Sequence, residues 1–117
     1  MRIEIDKNKI PYVFTFKSGS EIFLLRIKHF KTNNRIYLDI MDEDGEMLLE
    51  NEKLIYSRPV GWFMAKDENG NINNDFLNCH IVPLSFDKKE VPITFENFCE
   101  TVFLEYFDME EDEDDVE

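Results

Sequence analysis

An antiparallel all-β domain is the fold this sequence predicts, and three observations predict it. Apolar and polar residues alternate with period two over most of the chain. Clusters of Asn, Asp, Gly and Ser interrupt that alternation at short intervals, as hairpin turns do. No long run carries the period of an amphipathic helix. With 117 residues, 43% hydrophobic and 14% aromatic, the chain can bury one modest core and is too apolar to stay unfolded despite a formal charge of −13. A small barrel-like or sandwich domain built of hairpins meets these terms. It is expected to cover residues 1–107, because residues 108–117 hold eight acids, no base and no apolar pattern. Like charges at that density repel and bury nothing, which reads as a disordered acidic tail. Upstream of it 18 acidic residues stand against 13 basic ones, leaving a body at −5.

Taken in chain order, Ile3 and Ile5 share one face of a first short strand. Residues 12–16 follow Pro11 as a second, in which Val13 alternates with Phe14 and Phe16. Ser18, Gly19 and Ser20 turn the chain into a long strand over 22–30, apolar on both faces in its first half and alternating in its second. Residues 31–34 tolerate left-handed backbone angles, and the strand 35–41 then puts Ile36, Leu38 and Ile40 on one inner face. Residues 42–45 turn again, with Gly45 as the left-handed residue, and Met47, Leu48 and Leu49 return to the core. A strand over 61–66, an Asp/Gly turn over 67–70, a polar loop over 71–78 and a strand over 79–85 follow. Pro59 and Pro83 lack an N–H, so each marks an edge, a bulge or a strand end. Residues 94–99 read as one helical turn capped by Thr94 or as an irregular corner, before a last strand over 101–107.

Charge and motifs exclude most chemistries. An acidic chain has no basic field for phosphate backbones, so direct nucleic-acid binding is not expected. No run reaches the roughly twenty apolar residues of a membrane span, and the first six residues alternate charge where a signal peptide would build an apolar core, so a soluble, non-exported protein is expected. The two acidic turns fail as calcium loops: with Gly45 or Gly70 at the sixth position, the first and twelfth fall on Ile40 and Asn51 or on Ala65 and Leu77. His29 and His80 lie in no zinc-type spacing, and Cys79 and Cys99 read as two buried thiols outside any CxxC motif. GxSxG, GxGxxG and the P-loop pattern are absent, and nothing singles out a carboxylate pair among 26 acids. No catalytic residue, metal or cofactor is therefore assigned, and an enzyme is not expected. The remaining constellation is aromatic, and it exceeds what a small barrel interior holds. Some of it should face a partner, with Tyr37, Trp62 and Phe63 as the partner-binding candidates.

The strand 35–41 with its Asp42 to Gly45 turn, continuing through Leu48, Leu49, residues 53–55, Pro59 and Val60, resembles the phage baseplate plug family of small tail proteins. The carrying motifs are an aromatic-x-Asp strand at Tyr37 and Asp39, an Asp-x-x-Gly turn and a Leu-containing return strand. A second such turn runs from Asp67 to Gly70, and a closing Leu-x-Tyr strand holds Leu104 and Tyr106. The likeness covers most of residues 12–107; Tyr37 stands where Trp is usual, and the stretch 71–97 is longer. The resemblance implies a non-enzymatic virion component of the tail tip or baseplate, partnered by other tail proteins or by itself, located in the virion tail and in the host cytoplasm during assembly. The competing reading is an acidic inhibitor, a nucleic-acid mimic occupying the basic cleft of a DNA-processing protein. Its weakness is that most of the excess charge lies in ten residues without a rigid scaffold. Those residues can instead tether the domain to a basic partner.

Overall fold

Alternating side chains need a pleated backbone, and the chain supplies it in two antiparallel sheets. A computed structural model describes residues 1–61 and 79–108. Within them β1 (Tyr12–Ser18), β2 (Glu21–Phe30), β3 (Arg35–Met41) and β4 (Met47–Lys53) form a four-stranded meander in the order β1-β2-β3-β4. The second sheet pairs β5 (Cys79–Ser85) with β6 (Val102–Asp108). All but Gly61 of the strand and turn expected over 61–70, the loop over 71–78 and the stretch beyond residue 108 lie outside the described residues.

Turn chemistry sets the register. Gly19, at φ +63°, opens the two-residue loop that faces Ser18 to Glu21. Asn34 takes φ +54° at the end of the β2–β3 turn, and Gly45 takes φ +91° in the β3–β4 turn. In the latter, the Asp42 carboxylate accepts from the backbone N–H of Asp44 (3.0 Å) and Glu46 (2.8 Å), so that acid serves the turn itself. The β3–β4 ladder slips twice, between Leu38 and Ile40 and between Ile40 and Met41, with Asn51 at φ +60°. Two bulges on β4 curve this edge of the sheet.

One core joins the sheets. Phe23, Leu25 and Ile27 of β2 and Ile36, Leu38 and Ile40 of β3 meet Ile81 of β5 and Val102 and Leu104 of β6. Ile3, ahead of β1, and Leu54, Val60, Ile93 and Phe98, from segments between strands, close its ends. Each such side chain contributes about 1.5–3 kcal/mol by leaving water.

Several expectations are refined. Residues 3 and 5 do not build a full strand: a single antiparallel bridge pairs Arg2 with Glu105, flanked by the Ile3 N–H donating to the Leu104 carbonyl at 2.8 Å. The chain then leaves in a short 3-10 turn, Lys7–Lys9, whose Asp6 carboxylate accepts from the Asn8 N–H. Pro83 sits inside β5 opposite Leu104, with its carbonyl turned away from β6 to accept from the Ser57 N–H at 2.8 Å. Its missing N–H thus falls on the outer side of the strand, where no β6 ladder bond is lost. At residues 94–98 the capped turn forms: the Phe98 N–H donates to the Thr94 carbonyl, and Thr94 and Asn97 exchange side-chain to backbone bonds. Cys79 is buried but Cys99 only half-buried, so the expectation of two buried thiols holds for one. The two sheets do not close into a barrel among the described residues; the segment 1–3 lies along β6, and no strand pairing links it to β1.

Candidate interaction surface

Two outward faces carry the side chains that the core does not use. On the four-stranded sheet, alternation sends Arg26 and Lys28 of β2 and Tyr37 and Asp39 of β3 away from the core. Asp39 is nonetheless fully buried, held by Arg26 Nη1 at 3.2 Å, Lys28 Nζ at 3.0 Å and the Asn51 N–H at 2.7 Å. The Asn51 amide is one that the bulge frees from the ladder, so Asp39 compensates for the irregularity of β4. Lys28 also donates to the Asn51 side-chain oxygen. Beside this cluster Tyr37 stacks on Phe30, ring centroids 4.3 Å apart at 27°, and its hydroxyl accepts from Asn33 Nδ2 at 2.7 Å. Tyr37 is half-buried and Phe30 is exposed. Trp62 and Phe63, the other two candidates from the sequence, lie outside the described residues.

The second face belongs to β5 and β6. Cys79, Ile81, Pro83 and Ser85 are buried, which turns His80, Val82 and Leu84 outward beside Phe107, Glu105 and Phe103 of β6. The Arg2 guanidinium lies 3.8 Å from the Phe103 ring centroid and its Nε donates to Glu105 at 3.1 Å. Phe86, just past β5, is 73% exposed and Phe107 is 46% exposed. Together with Tyr56 and Lys88 they bound a cleft of about 500 Å³. Contiguous exposed aromatic surface of this kind marks an interaction site more often than a solvated one. Sequence reasoning did not single out Phe86 or Phe107. The signal was available for Phe107, since an inward Leu104 forces residues 103, 105 and 107 onto the opposite face.

Of the two histidines, His29 joins a hydrogen-bonded group centred on Asn34. Asn34 Oδ1 meets His29 Nε2 at 2.8 Å and accepts from the Phe95 N–H at 3.3 Å, while Asn34 Nδ2 donates to Glu96 at 2.9 Å. That last bond, first among several, holds the Glu96 carboxyl below its ordinary range. His29 lies 4.9 Å from the Phe95 ring. Burial pushes the Cys99 thiol up to about 11, the reverse of what an activated nucleophile needs. Among the described residues no group of three or more His, Cys, Asp and Glu stands in metal-binding arrangement.

These faces suit a protein that works through contacts with other proteins, and comparison with known families agrees. A family profile described as cyanophage baseplate Pam3 plug gp18 matches residues 1–111. No curated protein and no solved structure matches the chain. The match spans nearly the whole sequence, across both sheets and both faces, and the chain therefore belongs to the phage baseplate plug family.

Proposed function

We propose that this protein is a non-enzymatic, plug-like subunit of the tail tip, seated among other tail or baseplate proteins in the virion and present in the host cytoplasm during assembly. The observation that carries the reading is the outward aromatic face of β5 and β6, where Phe86 and Phe107 stand exposed without a role in the core. The Phe30–Tyr37 stack supplies a second contact area on the opposite sheet. In this reading the acidic stretch 108–117 tethers the subunit to a basic neighbour, and salt weakens that attachment without touching the apolar contacts.

The test is incorporation. Tails purified from particles carrying Phe86→Ser with Phe107→Ser are expected to lack the subunit, while wild-type tails contain it. The isolated variant should keep its stability within about 0.5 kcal/mol, because neither side chain is in the core. Wild-type tails without the subunit, or variant tails with a full complement, refute the reading.

A further inference from the structure

Among the described residues the strand order leaves one seam open, and its two walls are backbone. On one side stands β1. Ser18 and Glu21 close a two-residue turn as a hydrogen-bonded pair, so the peptide groups of Lys17, Thr15 and Val13 alternate with bonded ones and turn away from β2. None of the three makes a backbone bond to another described residue outside the ladder. On the other side stands the segment along β6. The Met1 carbonyl accepts from the Tyr106 N–H at 2.6 Å and the Ile3 N–H donates to Leu104, which makes Arg2 and Glu105 a non-hydrogen-bonded pair. The N–H and C=O of Arg2 therefore turn away from β6. A groove lined by Arg2, Ile3 and Glu4 on one side and by Phe14 to Lys17 on the other runs between these walls, with Tyr106 at its floor.

The floor carries a second, independent sign. Phe14 and Tyr106 face inward and pack against the core, yet both stay half-buried, unlike Phe16, which Tyr106 meets edge-on at 5.1 Å. Inward aromatic side chains remain wet where no described residue covers them.

We propose that this seam accepts an extended segment of another tail or baseplate chain, which adds a strand between β1 and the Arg2 segment. Strand addition satisfies exposed edge groups by main-chain bonds and reads the guest through alternate side chains. A guest here meets peptide groups on both of its edges. It needs apolar residues at the positions over Phe14 and Tyr106 and polar ones at the positions facing water. A second copy's β1 does not meet this need, because it is already bonded to its own β2 and can serve one wall only. Residues 109–117 do not meet it either, having just Met109 and Val116 among acids. The proposal rests on the tail-protein reading for the identity of the guest and on the groove alone for the mode of binding.

Amide hydrogen exchange on the full chain tests it, with a capped seven-residue peptide of alternating Val and Thr as the probe. At saturating peptide the Val13, Thr15 and Lys17 amides are expected to slow at least about tenfold, while the β3 amides keep their rates. Thr15→Pro removes one outward N–H at a position that contributes no bond to β2 and should abolish the effect; Thr15→Ala should retain it. Exchange unchanged by the peptide, or slowed equally in Thr15→Pro, overturns the proposal. Should Thr15→Pro not fold, the wild-type response still decides. In purified tails the same amides should be protected; a subunit present in tails with these amides exchanging as in isolation overturns the strand-acceptor mode and leaves the tail reading standing. Absence of the subunit from tails removes the tail reading, and the peptide measurement then judges the groove.

Discussion

Asp39 concentrates the energetics of a single residue. It is fully buried between two cations and a bulge amide, so Asp39→Ala strands the Asn51 N–H and leaves Arg26 and Lys28 without their counter-charge. Urea denaturation is expected to show a loss of about 3 kcal/mol, at the low end for a broken buried pair because Arg26 reaches water. Cys99 makes a chemical prediction. With its thiol raised by burial to about 11, alkylation by iodoacetamide at pH 8 should run well below the rate of a free cysteine and climb steadily toward pH 11. The linked stability has a definite sign: the folded state favours the neutral thiol, so the contribution is whole below the ordinary pKa of 9.0 and is lost as pH rises from there to about 11. Glu96 acts oppositely. Its lowered value gives a contribution present above the ordinary carboxyl pKa and lost as pH falls through the lowered one. The sequence shows that Asp39 sits on a strand but not why, since its three partners come from β2 and from a β4 irregularity that no local pattern encodes.

At the level of elements, the hairpins were the legible part. Period-two spacing placed Ile36, Leu38 and Ile40 inward, and all three are fully buried. Gly45 was identified as the left-handed turn residue and takes φ +91°. Open space surrounds the site of its missing Cβ, so Gly45→Ala should cost about 1–2 kcal/mol through the backbone alone, read as a lower melting temperature with an unchanged fold. The N-terminal residues were harder to read. Ile3 alternates with Ile5 as in a strand, but the partner that would extend the pairing beyond Arg2 is lost when the chain turns at residues 7–9. The two β4 bulges were equally hidden, because Asn51, at φ +60°, gives its N–H to Asp39 of the neighbouring strand, a contact that no local pattern encodes. Of the interface candidates, Tyr37 falls on an outward face, whereas the more exposed Phe86 lies just beyond a strand end, where alternation no longer assigns a side.

For the whole molecule, sequence periodicity gave the all-β class but not the division into a four-stranded and a two-stranded sheet, which depends on pairings between distant segments. It also could not show that, among the described residues, no strand fills the seam between β1 and the segment along β6. At this scale the acidic stretch makes its own prediction. Truncation after Asp108, the last residue of β6, should leave the stability unchanged within about 0.5 kcal/mol, since charged residues of one sign add no core, and should remove most of the salt dependence of binding to tails. Light scattering of both forms at low and high salt separates apolar self-association, which persists in both, from charge-driven association, which disappears with the truncation. The pairing of Arg2 with Glu105 has one more consequence, for the order of folding events. The meander closes through loops of a few residues, whereas that contact must close a loop of about a hundred, at an entropic cost that grows with loop length. The meander can thus assemble first, while the seam beside β1 acquires its second wall only in the final step, when both ends of the described chain meet.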